Sequence, residues 1–303
     1  MDLLVLYTDR RTDDFQQLER RLSSLEITSH GLPVASHWSV NDSEDVLFQL
    51  KEHSHYLFLL GEDELAHPMF IFASGYFLAL GERSFIWESG KASFPGFWGN
   101  TIFISRALDD LLARLIAEKQ RWKDFLERLE AKGQLLERGF EVTPSALFET
   151  VEKGDTTSVE LFLKAGFTPD QTNKKGVSLL GLAIRFSHLS VLRLLLQWGA
   201  DINLRSRDRD NTPVMDAAAE GHLEMLQELI QKGADLAGQS RNGQNALVLA
   251  IGKGADAVSR VLLEAGADPF VDDKLGMSAL KYAQMFGRKE IVEMVSTMYP
   301  GRM

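Results

Sequence analysis

Few side chains in this sequence of 303 residues stand at spacings that do chemistry, and the first to test are two histidines. His53 and His55, separated by Ser54, put two imidazoles on one extended segment just ahead of a strand-like run. A zinc site needs at least three protein ligands, and no third candidate occurs at a recognisable spacing, so no metal is expected. There is no cysteine anywhere, which removes thiolate ligands, disulfides and thiol nucleophiles together. Asp208-Arg-Asp-Asn211 has the start of a calcium loop without its glycine or closing glutamate, and a polar turn accounts for it better. No P-loop is present, nor a Gly-x-Gly-x-x-Gly after a strand, so no cofactor is expected.

The elements that would position such groups change character along the chain. From the start to about residue 118, strand-like and helix-like segments alternate. Leu3 to Tyr7 reads as a strand, and Phe15, Leu18, Leu22 and Leu25 line one face of a helix. Leu32 to Trp38 is weakly extended, Val46, Leu47 and Leu50 indicate a second helix, and Tyr56 to Leu60 a buried strand. Phe70 to Leu80 reads as a helix closed by Gly81. Ser84 to Trp87 and Thr101 to Ser105 read as strands, and Leu108 opens a last helix. Such alternation predicts an α/β domain, a five-stranded parallel sheet of flavodoxin-like type over residues 1–118. Residues 119–142 continue as a charged, helix-prone connector with Trp122, Phe125, Leu126 and Leu129 and no flexible linker. The connector is expected to cap the second half of the chain and to fix the two halves relative to each other.

From residue 143 to 300 the chain repeats itself. Gly166, Gly199, Gly233 and Gly266 recur at intervals of 33, 34 and 33, each after an apolar run such as Val191, Leu192, Leu194, Leu195 and Leu196. Glycine there suits the left-handed residue that ends a helix. Thr143-Pro144, Ser178, Thr212-Pro213, Asn245 and Ser278 each precede a short helix that they can cap. Polar segments Asp201 to Asn211, Asp235 to Gly243 and Asp268 to Gly276 separate the helix pairs. This pattern resembles ankyrin repeats: four full copies and a truncated terminal one, an all-α solenoid with hairpin fingers. The resemblance implies a protein partner held on the concave face made by fingers and first helices. The register puts Arg205, Arg207, Arg209 and Asp210 on one finger, with Arg185, Phe186, Glu220, Lys253, Phe286 and Arg288 following the short helices. Any one of these also reads as plain solvated surface, and Phe186 and Phe286 also as packed between repeats.

The first domain carries a second resemblance. Phe70-Ile-Phe-Ala-Ser-Gly-Tyr-Phe-Leu-Ala-Leu-Gly81 is similar to a helix of nucleoside 2-deoxyribosyltransferases and related Toll/interleukin-1-receptor (TIR) type domains. Leu6-Tyr-Thr-Asp9 and Asp14-Phe15 resemble the first strand and loop of TIR domains. In those families a glutamate two positions before the Gly-Tyr pair acts on an N-glycosidic bond, and here that position is Ala73. A methyl group is neither nucleophile nor anion. Ser74 has no partnered histidine, and Asp9, Glu62 or Asp63 would have to move into place. The resemblance therefore implies a pseudoenzyme or TIR-like interaction module, with Thr8, Asp9, Ser74 and Trp98 around any remaining ligand pocket. Trp87 and Phe94 to Trp98 either cover a base-like ligand there or plug the vacant pocket; the plug is favoured.

Charge narrows the partners. The net −10 is uneven: residues 1–118 hold 18 acidic and 9 basic side chains, and residues 119–303 hold 25 and 24. Neither part generates a field that attracts phosphates, so nucleic acid is not expected. The apolar runs are too short or too polar to cross a bilayer, and Met1 leads straight towards a strand with no secretory leader. The resulting reading is a cytoplasmic, bacterial-type adaptor whose first domain is inactive or self-associates. The alternative is a sensor of NAD or nucleosides, or an enzyme of N-glycosidic bonds, governed by its repeats.

Overall fold

The computed structural model describes residues 1–8, 11–34, 53–60, 84–88, 102–105 and 107–302. They fall into two compact units, Met1–Leu126 and Glu127–Met303, so the division lies within the helical connector. Among the described residues no helix is long and apolar enough to cross a membrane.

The first unit is built on β1 (Asp2–Thr8), β2 (Thr28–Val34), β3 (His55–Leu60), β4 (Ser84–Glu88) and β5 (Ile102–Ser105). They pair in the order β2-β1-β3-β4-β5, each pair parallel. Leu3, Leu4, Val5 and Leu6 are all buried, as are Tyr56, Leu57, Phe58 and Leu59. Strands covered on both faces need such unbroken apolar runs, which is why β1 and β3 were legible. Helix α1 (Thr12–Ser24) buries Phe15, Leu18 and Leu22, one stripe at helical spacing, and carries Asp13 and Asp14 in its first turn, where the helix dipole favours them.

Strand β2 begins at Thr28 rather than at Leu32 as its apolar content suggests. It is an edge strand, where Pro33 can lack an N–H without breaking the ladder. Gly31 admits the ring of Phe15, which stacks on Tyr7 with centroids 4.6 Å apart; a Cβ on Gly31 would lie 2.5 Å from that ring. The expected helices at Val46 to Leu50 and Phe70 to Leu80 lie outside the described residues.

Helix α2 (Leu108–Glu137) buries Leu111, Leu112 and Leu115 in the core of the first unit, and Ala131 and Leu135 in the core of the second. The second unit then stacks five helix pairs. They are α3 (Pro144–Lys153) with α4 (Thr156–Lys164), α5 (Leu179–Arg185) with α6 (Leu189–Gln197), and α7 (Pro213–Glu220) with α8 (Leu223–Gln231). They continue as α9 (Ala246–Lys253) with α10 (Asp256–Glu264), and α11 (Ala279–Met285) with α12 (Lys289–Met298). One continuous apolar core runs from Ala131 to Val295, because no pair can bury its face alone. Thr143, Ser178, Asn245 and Ser278 cap their helices by accepting a backbone N–H three residues on. Thr212 does not; its hydroxyl is buried without a hydrogen-bond partner.

Candidate protein-binding face

The fingers are built alike. At Asn173, Ser206, Ser240 and Asp273 the same position supplies a side-chain acceptor to the backbone N–H groups of its own turn. Each turn then passes a left-handed residue: Gly176, Gly243 and Gly276 with φ 73°, 80° and 72°, and Asp210 with φ 61°. Successive tips are tied by backbone bonds, Arg207 N–H to the Gly176 carbonyl, Arg241 N–H to that of Arg209, and Lys274 N–H to that of Asn242. This ladder holds the tips in register as a single edge. Along it Lys174, Lys175, Arg207, Arg209, Arg241 and Lys274 are all exposed, with Leu275 beside them.

The second finger differs. Its turn closes from Ser206 N–H to the Asn211 carbonyl, one residue wider than Asn173 to Val177, Ser240 to Gln244 or Asp273 to Met277. That residue is why one interval in the repeat is 34 instead of 33. The wider turn brings Asp208 onto Arg185, whose guanidinium donates to Asp208 at 2.6 and 3.2 Å and to Asp216 at 2.9 Å. Asp216 is 2% exposed and also accepts from Asn211 at 2.8 Å. Burial works against charge on Arg185, but the bonds to Asp208 and Asp216 outweigh it and hold the guanidinium above its usual pKa. The Arg185 hydrogen bond keeps the Asp208 carboxyl well below the usual carboxylate range. Burial pushes Asp216 above that range, against its bonds from Arg185 and Asn211. The Asp208 to Asn211 segment is thus a finger turn, as its composition suggested.

A second row lies at the ends of the first helices. Lys153, Phe186, Glu220, Lys253 and Phe286 occupy one repeated position, just before the residue that turns the chain. Phe186 is 47% and Phe286 46% exposed, the latter stacked on Tyr282 at 5.9 Å, so neither is packed away between repeats.

The family described as Ankyrin repeats (3 copies) matches residues 147–239 and 214–299. An ankyrin repeat-containing protein of Treponema pallidum (strain Nichols) is 30% identical over 257 residues, covering 81% of this chain and 83% of the relative. This chain belongs to the ankyrin-repeat family. An ankyrin repeat protein of Fowlpox virus (strain NVSL) is 36% identical over 62 residues, 20% of this chain and 8% of the viral protein. The bacterial alignment is too long to be confined to the repeats, so the likeness reaches into the first unit.

Within the ankyrin stack the residues expected to meet a partner separate into groups. Arg185 belongs to the internal network and offers little free surface. Arg205 is engaged by Asp210 at 3.0 and 3.2 Å and by the Gln239 carbonyl. Arg288 pairs with Asp256 at 3.5 Å. Arg209 reaches Glu220 at 3.8 Å and stays half exposed, while Arg207 and Lys253 are exposed. His222 meets the Ser187 hydroxyl of the preceding repeat at 3.0 Å, and His188 meets the Glu152 carbonyl at 2.8 Å. Sequence reasoning passed over Lys153, Lys174, Lys175, Arg241 and Lys274, although the period that located Arg207 and Lys253 also marks their positions. In the first unit Thr8 is buried at the end of β1, whereas Asp9, Glu62, Asp63, Ala73, Ser74 and Trp98 lie outside the described residues.

Proposed function

We propose that this chain is an interaction scaffold whose ankyrin stack holds a protein partner on the concave face, gripping an acidic segment of it along the finger edge. The observation that carries this reading is the row Lys174, Lys175, Arg207, Arg209, Arg241 and Lys274 on tips tied together by backbone hydrogen bonds. Of the acids beside that row, Asp208, Asp210 and Asp272 are paired with Arg185, Arg205 and Lys281, and Glu220 lies 3.8 Å from Arg209 of the row itself. A rigid row of cations steers and orients an acidic surface, and the half-exposed Phe186 and Phe286 supply apolar contact. The test is affinity isolation with the full chain, identification of the partner, and titration of the purified pair. The variant R207E/R209E/R241E should weaken binding at least about tenfold and flatten its salt dependence. Unchanged affinity would reject the finger edge as the contact.

The first domain we read as flavodoxin-like, TIR- or deoxyribosyltransferase-related and catalytically silent, with Ala73 at the position of the acting carboxylate, in a bacterial cytoplasmic protein. Domains of this kind can self-associate. The reversal of strand order between β1 and β3 favours a second reading, since ligands bind at such switch points in open parallel sheets. On that reading NAD or a nucleoside bound near Thr8 regulates the stack. A thermal shift with NAD or nucleosides without turnover supports the sensor; turnover would overturn the silent-domain reading.

A further inference from the structure

The two histidines that stand one residue apart in sequence part company in the fold. His55 is buried against Trp122, ring centroids 5.0 Å apart, with Nδ1 2.8 Å from the Ser54 hydroxyl and Nε2 3.8 Å from Glu118. His53 turns instead towards Asp2 and His30. Its Nε2 lies 3.9 Å from Asp2 Oδ2, and His30 Nε2 lies 3.2 Å from Asp2 Oδ1. One ligand atom from each of the three residues falls within 4.8 Å of the others. Strand pairing makes this meeting: β1 starts at Asp2, β2 runs parallel beside it with His30, and His53 precedes β3 on the other side.

We propose that Asp2, His30 and His53 hold a divalent transition-metal ion of the zinc type. Two imidazoles and a carboxylate are a donor set that zinc and its neighbours accept, and in a tetrahedral zinc site donor atoms stand about 3.3 Å apart. The Asp2–His30 separation already meets that spacing, and His53 needs to close by less than 1 Å or so on Asp2. Asp2 Oδ1 is buried, makes no hydrogen bond and still sits beside an imidazole nitrogen. A shared cation supplies what that oxygen lacks. The surroundings hold the ligands in place: the Ser54 hydroxyl bonds both the N–H and the carbonyl of Asp2, and the Tyr56 hydroxyl donates to the His53 carbonyl at 2.7 Å. The ring of His53 is 8% exposed and that of His30 55%, so one ligand is anchored and one is open to an arriving ion. Three protein ligands leave a tetrahedral position for water or a carboxylate. The site lies at the starting ends of the strands, away from the carboxyl ends where a nucleotide pocket belongs.

The test uses the full chain without a histidine tag, stripped by chelator and dialysed against zinc, with bound metal measured by mass spectrometry. One zinc per chain is expected at micromolar concentration, with a rise in melting temperature, and intense visible bands when cobalt replaces it. His30→Ala and His53→Ala should each weaken binding by more than about tenfold, and Ser54→Ala by a smaller factor, while His188→Ala changes nothing. His30 is more than half exposed, so its variant decides the matter even if His53→Ala fails to fold. No zinc bound by the wild type, or binding that survives His30→Ala undiminished, would overturn the proposal.

Discussion

The two units present opposite problems. In the ankyrin stack a residue's place follows from its neighbours one repeat away, since Lys153, Phe186, Glu220, Lys253 and Phe286 share one position of the period. What the period does not reveal is whether a side chain at that place is free. In the sheet, Asp2, His30 and His53 share no period, and only the pairing of β1 with both neighbours brings them together. Translational repetition thus tells where a side chain lies but not what it is bonded to. Parallel pairing conceals even the place.

Substitutions sharpen that contrast. Arg185 occupies a surface-like position in the repeat, yet its bonds run inward. Arg185→Ala should destabilise the ankyrin unit by about 3 kcal/mol, because it strands the buried Asp216 carboxylate with Asn211 alone. Arg207→Ala, on the finger edge, should change stability by less than about 0.5 kcal/mol. Urea unfolding of the two variants measures the difference; equal small effects would mean that Arg185 is ordinary surface after all.

Acid provides the next test. Asp208 has its folded pKa depressed by Arg185 below the ordinary value of 3.8. Its contribution is therefore present above about pH 4 and is lost as pH falls through the depressed folded value. Asp216 has the opposite sign: because its folded pKa is raised, its contribution to stability falls as pH rises from the ordinary value of 3.8 through the raised folded one. Asp208→Asn should remove about 1 kcal/mol at neutral pH and flatten the acid loss of stability of the ankyrin unit. An unchanged acid profile would show that the wide finger does not engage Arg185 in solution.

A further small effect concerns the repeat itself. Gly154, Gly221, Gly254 and Gly287 turn the chain after their helices with φ between 67° and 79°, and Ser187 takes the same turn at φ 63°. Ser187→Gly should stabilise by roughly 0.5–1 kcal/mol, the strain of a left-handed L-residue less the exposed bond to His222. Thermal unfolding reads it directly, and a loss would mean that the His222 contact outweighs the strain.

These cases mark how far the sequence could be read. The helix pairs of the repeats, four of the five caps and the strand-like runs at β1, β3, β4 and β5 were legible, because glycine, cap residues and unbroken apolar runs act locally. The start of β2 was not, because Thr28 to Gly31 holds little apolar content and is fixed by Phe15 fitting against Gly31. The inward turn of Arg185 left one trace, the interval of 34, which records the residue added to the second finger. The meeting of His53 with His30 left none, since neither separation from Asp2 is a ligand spacing of any local motif.

The claim that matters most is that the finger edge and the short first helices hold the partner. Hydrogen exchange of the full chain, with and without the isolated partner, tests it most directly. Slowed exchange is expected at the tips around Lys175, Arg207, Arg241 and Lys274 and at the ends of α5, α7 and α9, with α6, α8 and α10 unchanged. Protection confined to α6, α8 and α10, or to the first unit, would contradict it.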